Sequence, residues 1–331
     1  MKFKQLFFYF FLFTFSTPIA FALDNIDELF EGTWAGVEVM GGDVKVANLV
    51  RDLIPIKVGD QFLPDSKKLG SWCSAVKEKI NGSVSCGIIG YIEGKYYFDV
   101  EIISANTNNK FREFQTNSPA IEPLPEKLNT LYNYWEKIFE KYMREGAVPK
   151  QFYKEGYLQC DDPELQLIAK ELSQITPTYN PLLLDIIRYS HDADERTTAA
   201  ALLSWSKHPE NISVIMKENL LNDPDSGVRN ELARSVSYII SDVKNKKILK
   251  KSIVSLCEQL KLPSHSDRTK ALASFLTIIK HNPELTSVIN HECGDTLTYV
   301  STMSILPNVG GTAKEILASV KHEDTHFNSP K

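Results

Sequence analysis

Cysteine is scarce in this chain, five among 331 residues, and none precedes Cys73, which excludes a lipid-modified N-terminal cysteine. Long hydrophobic runs are missing too. Leu6 to Phe15 is the longest, ten residues, and a bilayer span needs about 20. Basic residues are the minority, 37 Lys and Arg against 42 Asp and Glu, so no basic stripe is available to track nucleic-acid phosphates. The Gly310-Gly311-Thr312-Ala313-Lys314 stretch lacks both the spacing and the preceding strand of a phosphate-binding loop. No serine, histidine and acid combination stands out. These absences point away from an enzyme and leave the cofactor expectation at none.

What is present begins with a leader. Met1-Lys2-Phe3-Lys4 is followed by the apolar run and then by Ala20-Phe21-Ala22, a small-x-small site, so residues 1–22 read as a signal peptide cleaved after Ala22. An uncleaved anchor is the alternative. Cleavage removes Lys2 and Lys4 and no acid, so 35 basic and 42 acidic residues remain, a formal charge of −7. The expected location is periplasmic or secreted, where disulfides persist. Cys73 and Cys86 are the only cysteines of the N-terminal region and are expected to pair. Cys257 and Cys293 sit near the ends of second helices in adjacent repeat units and are a second candidate pair, with Cys160 left over. Small buried apolar packing is the bland reading of all five.

An arginine opening an apolar helical stripe recurs at Arg196, Arg229 and Arg268, spaced by 33 and 39 residues. Each begins a first helix. Second helices follow, three of them announced by Asn180-Pro181, His208-Pro209 and Asn282-Pro283, with proline at the first helical position. Repeated helix pairs stack into extended surfaces. The pattern predicts units at 162–189, 194–221, 223–260 and 266–291 and a weaker fifth at 295–320, after a lone capping helix at 126–145.

Residues 23–104 differ in kind, being rich in Val, Gly and aromatics with strand-like alternation. The order there is strand, helix, helix, strand, strand, with Glu93-Gly94 turning the final hairpin. Four asparagines and three prolines between Ser104 and Pro125 mark 105–126 as a linker. The expected organisation is thus a 23–104 α+β domain, a linker, an all-α solenoid at 127–320 and a disordered tail at 321–331.

Two resemblances follow from these residues. The phrase VEVMGGDVKVANLVRDLIPIKVGDQF, with Gly42-Asp43 at the turn and Gly59, Asp60 and Phe62 at the corner, resembles the POTRA (polypeptide-transport-associated) domain over residues 35–103. That resemblance implies a three-stranded sheet under two helices whose second strand, Val84 to Glu93, is an edge able to accept a peptide strand. An unrelated small α+β sandwich has the same element order. The family's domain usually adjoins a membrane barrel or helix, whereas this chain continues into helices. The phrases DPDSGVRNELARSV and DADERTTAAALL resemble HEAT repeats over 160–320. In that family the acid and arginine link neighbouring units, so the resemblance assigns Asp194, Asp225 and Arg229 structural roles.

Three further patterns bear on chemistry. His322-Glu323-Asp324-Thr325-His326 spells H-E-x-x-H, but only Phe327 to Lys331 follow, too few to carry a third zinc ligand well downstream. Asp223-Pro224-Asp225-Ser226-Gly227 starts like a calcium loop, with its glycine one place early. Lys244, Lys246, Lys247, Lys250 and Lys251 read as a solvated helix face, or as a docking face for an acidic partner or anionic lipid. The expected function is a non-catalytic protein-binding adaptor or scaffold. The alternative is a cofactor- or metal-binding accessory enzyme, either like helical-repeat lyases of bilin pigments or a hydrolase using zinc at His322 and His326.

Overall fold

The computed structural model describes residues 19–21, 31–91, 93–104, 110–114, 119–145 and 147–327. Most of the leader and its cleavage position at Ala22 therefore lie outside the described residues, as do 328–331 of the tail. The chain is mixed α+β.

Strand β1 is Ile19–Phe21 and strand β2 is Gly32–Met40. Asp43 then caps helix α1 (Val44–Asp52), its carboxylate accepting from the amide of Val46 at 2.9 Å. Strand β3 (Gln61–Phe62) precedes helix α2 (Ser66–Lys79), which Asp65 caps in the same way. Strands β4 (Ser83–Tyr91) and β5 (Lys95–Ile103) follow. They form one sheet in the order β1-β4-β5-β2-β3, with β2 parallel to β5 and the other neighbours antiparallel. Successive side chains point to opposite faces of such a sheet. Val37, Val39, Phe98 and Val100 face α1 and α2, while Gly36, Glu38, Tyr97 and Asp99 face the other way. Trp34, Phe62, Trp72 and Phe98 lock the helix-covered face through edge-on ring contacts of 4.9–5.8 Å.

The helical half opens with α3 (Glu126–Arg144) and a hairpin that lies outside the expected elements, β6 (Gln151–Lys154) and β7 (Tyr157–Cys160). Its two-residue turn holds Glu155 at φ 57° and Gly156 at φ 80°, the paired left-handed geometry that suits a tight hairpin. Helix pairs follow: α4 (Pro163–Ile175) with α5 (Asn180–Tyr189), α6 (Ala193–Leu202) with α7 (Asn211–Lys217), and α8 (Ser226–Ile239) with α9 (Lys246–Leu260). Then come α10 (His265–His281) with α11 (Thr286–Met303), and α12 (Thr312–Phe327). Asp162, Asp192, Asp225 and Asn245 cap α4, α6, α8 and α9.

Three expectations need correction. The fourth unit's second helix does not stop at His291 but runs to Met303, because Gly294 alone is too weak to break a helix whose Ile289, Cys293, Leu297 and Val300 form one buried stripe. Only α12 remains of the fifth pair, and it continues to Phe327, into the span expected to be a disordered tail. Conversely α7 is short, ended by Asn219 in the left-handed conformation at φ 52°.

The two halves are packed together. The second face of the sheet lies against α10, α11 and the turn before α12. Gly36, at φ 137°, makes this possible: a Cβ there would meet Ile305 Cδ1 at 2.8 Å. Polar contacts complete the seam. Glu38 accepts from the amide of Ile305 at 2.9 Å, Glu101 accepts from the amide of His265 at 2.9 Å, and the Tyr299 hydroxyl donates to the Gly42 carbonyl at 2.8 Å.

Candidate binding surfaces

The recurring arginines are where the sequence and the structure meet most directly. Arg196 grips Asp223 with two bonds of 2.9 Å and donates to the Ser190 carbonyl at 2.9 Å. Arg229 repeats the arrangement one unit on, bonding Asp267 at 3.0 Å and the Asp223 carbonyl at 2.9 Å. Arg268 donates to the carbonyls of Leu262 (3.4 Å) and Pro263, and its acid is Glu38 of the sheet at 3.7 Å. Each guanidinium thus clamps the loop six residues behind it and reaches for a carboxylate on the next layer. The α+β half supplies the last carboxylate of the ladder. All three arginines and their acids are buried, so each pair is costly to break: removing one partner of such a pair leaves a charge worth about 3–5 kcal/mol.

The three residues given structural roles divide. Arg229 links two units as described. Asp225 caps α8, accepting from Val228 at 3.0 Å, and it is Asp223 that receives the arginines. Asp194 stays exposed in the first turn of α6, where its charge favours the helix terminus without touching a neighbouring unit.

The stretch read as a linker is not free along its length. Residues 110–114 lie along the arginine ladder. Phe114 stacks beneath both Arg196 and Arg112, with guanidinium carbons 4.3 and 4.5 Å from the ring centre, and Phe111 sits under Arg229 at 4.6 Å. Arg112 bonds Asp223 at 2.5 Å, donates to the carbonyl of Ile187, and gives its backbone amide to the Asn222 carbonyl at 2.7 Å. Lys110 pairs with Glu258 at 3.0 Å. Low local propensity for helix or strand, the basis for reading a linker, is blind to such docking.

The seam between the halves contains the densest group of titratable side chains. Burial and the neighbouring Glu101 raise the Asp99 carboxyl well above the ordinary carboxylate range, and burial beside Arg268 lowers His265 to about 3. His265 is bridged by Asn308, whose amide lies 3.2 Å from its ring and which also accepts from Tyr91. Glu38, Asp99, Arg268 and His265 are all buried, so this group holds the halves together and offers no surface to a substrate.

Three surfaces remain. Along β4, the described strand partner on the outer side is β1, which pairs antiparallel with Ile88, Ile89 and Gly90. The nearby Ser83 and Ser85 are exposed. On α9 the lysines at 244, 246, 247, 250 and 251 are exposed as the amphipathic spacing requires, with Lys246 engaged by Asn282 and Glu284. Inside the curve of first helices lies a polar floor containing Glu231, Arg234 and Lys270.

Cys73 is bonded to Cys86, joining α2 to β4, and Cys257 to Cys293, joining α9 to α11; Cys160 is free and buried. His322 and His326 fall on the last turns of α12, one helical turn apart. Among the described residues no group of three or more His, Cys, Asp or Glu is arranged to hold a metal. No family model matches the chain, and neither characterised proteins nor solved structures gave a match.

Proposed function

We propose that this chain is a non-catalytic adaptor of the periplasm or secreted space, in which a POTRA-like module and a HEAT-like solenoid present binding surfaces to other proteins. The observation that carries the reading is strand pairing at the β4 edge. A segment as short as Ile19–Phe21 pairs there through backbone alone. If residues 1–22 are removed as a leader, that segment leaves with them and the amides and carbonyls of Ile88 to Gly90 become available to an extended peptide, with little demand on its sequence. Two disulfides are compatible with an oxidising compartment, and no described helix is long and apolar enough to cross a membrane. The titratable groups of the seam are consumed by structure, which also favours binding over chemistry.

The test is photocrosslinking from Ser85 of the full chain in its native cell, with N-terminal sequencing of the purified product. The expected product begins at Leu23, and Ser85 yields discrete protein adducts. Absence of adducts both from Ser85 and from the inner face of the helices refutes the adaptor reading.

A further inference from the structure

The first helices of the pairs carry a face of unusual exposure. From Gly227 to Ile239 on α8, and from His265 to Ile279 on α10, no residue is fully exposed, whereas the second helix α9 bares Lys246, Lys247, Lys250, Lys251 and Val254. Helices whose polar residues are all half-covered, with no open side, form the floor of a concavity. On α8, Glu231 and Arg234 sit 3.3 Å apart. The Tyr238 hydroxyl is held by Gln151 at 2.7 Å and its ring lies parallel to that of Tyr153, so one wall is fixed by the β6–β7 hairpin. On the other side α3 contributes Tyr132 and Glu136, which are bonded to each other.

Lys270 of α10 lies within electrostatic reach of Arg234 and Glu231. Among the described residues its ammonium has no ion pair and no hydrogen bond; only its backbone carbonyl is used, by Ser274 at 2.9 Å. Two cations, Arg234 and Lys270, therefore share Glu231 as their nearest ionised acid. The environment registers the imbalance. Burial and the adjacent Arg234 push the Lys270 amine down to about 8, and burial with the nearby Glu231 pushes Glu136 up to about 7.

We propose that Arg234 and Lys270 form a receptor on this concave floor for a carboxylate of an extended partner peptide. The inference rests on the adaptor reading and names the chemistry its helical surface selects. A carboxylate placed between ammonium and guanidinium relieves their mutual repulsion and gains charge-assisted hydrogen bonds in a partly dehydrated site. A neutral or basic segment gains neither. The carboxylate comes either from an acidic side chain or from a C-terminus, and the two sources are separable by experiment.

Two probes are titrated calorimetrically into the full-length protein: acetylated, amidated tetraglutamate, and acetylated tetraserine with a free C-terminus. Binding of the first alone identifies a side-chain carboxylate, binding of the second alone a terminal one, and either result is the expected outcome. Lys270→Met is expected to weaken the bound probe by roughly tenfold or more, the scale of a lost charged hydrogen bond, while Lys270→Arg retains it. A readout on the unmutated protein guards against misfolding: the bound probe protects Lys270, but not Lys250, from acylation by acetic anhydride. The proposal is overturned if neither probe binds at millimolar concentration, if Lys270→Met and Arg234→Gln bind as tightly as the parent, or if Lys270 is acylated equally with and without probe. Should any of these occur while Ser85 still crosslinks to protein, the carboxylate site falls and the adaptor reading stands; should both fail, both fall.

Discussion

Replacing Arg229 by methionine isolates one rung of the ladder. Arg229 is 4 % exposed and its partner Asp267 is 0 % exposed. The substitution keeps the side chain's bulk but strips Asp267 of bonds at 3.0 and 3.3 Å, leaving it the Gln259 amide at 3.3 Å. It also strips the carbonyls of Asp223 and Pro224 of their shared donor. The carbonyl contacts are worth about 1–2 kcal/mol together, and an uncompensated buried carboxylate adds enough to bring the total to about 3–5 kcal/mol. The two parts differ in pH dependence. In the parent, burial outweighs the pull of Arg229 and holds Asp267 up at about 6, above its ordinary value of 3.8. A raised acid binds protons more tightly folded than unfolded, so parent stability declines as pH rises from 3.8 to about 6 and is flat thereafter. Without Arg229 the folded value rises further, and the variant continues to lose up to about 1.4 kcal/mol per pH unit where the parent no longer does. Urea titrations followed by helical circular dichroism are therefore expected to show a small deficit near pH 4 and the full deficit near pH 8. A deficit independent of pH, or below about 1 kcal/mol at pH 8, refutes the ladder as a set of paired buried charges. A cycle with Asp267→Asn separates the pair from the carbonyl contacts, and a coupling near zero refutes the ladder equally.

Three other expectations follow from the same geometry. Changing both Cys257 and Cys293 to serine opens a loop of sequence separation 36 and is expected to cost about 3–4 kcal/mol in urea titrations, with Cys160 the single thiol alkylated when the unreduced parent is unfolded; more than one reactive thiol contradicts the pairing. Phe114→Ala removes the ring shared by Arg112 and Arg196 and is expected to speed tryptic cleavage after Lys110 and Arg112 severalfold, and unchanged cleavage contradicts docking of 110–114. His265, lowered to about 3 by burial beside Arg268, contributes stability that is complete above its ordinary value of 6.5 and lost as pH falls toward 3. Its ring resonance is expected to stay constant from pH 8 to 5 by NMR, and titration near 6.5 in the folded protein contradicts the sealed seam.

Local signals are legible where they are self-contained. Asp43, Asp65, Asp162, Asp225 and Asn245 stand where helices begin because their side chains satisfy amides two or three residues on, a bond needing no distant partner. The β6–β7 hairpin carries a local signal too, Glu155-Gly156 between alternating residues, but it is short and lies between two long helical patterns that mask it. The choice between Asp223 and Asp225 as the arginine's acid is not readable, because both are close in sequence and the loop backbone decides which is turned inward. Lys270 gives no sign of itself either. It is one lysine on an amphipathic helix until α3 and α8 enclose it.

The amino-acid order alone settled the helix starts, the strand alternation, the arginine period and the spacing of the four cysteines that pair, since each depends on interactions within a few turns of chain or on covalent arithmetic. The tertiary structure decided what the polar side of the sheet is for. Glu38 looks in sequence like an alternate polar position facing water, yet it accepts a bond from Ile305, 267 residues away, and completes the arginine ladder. Burial makes the difference: a carboxylate removed from water must find a cation and an amide, and which ones come within reach is set by how distant segments stack.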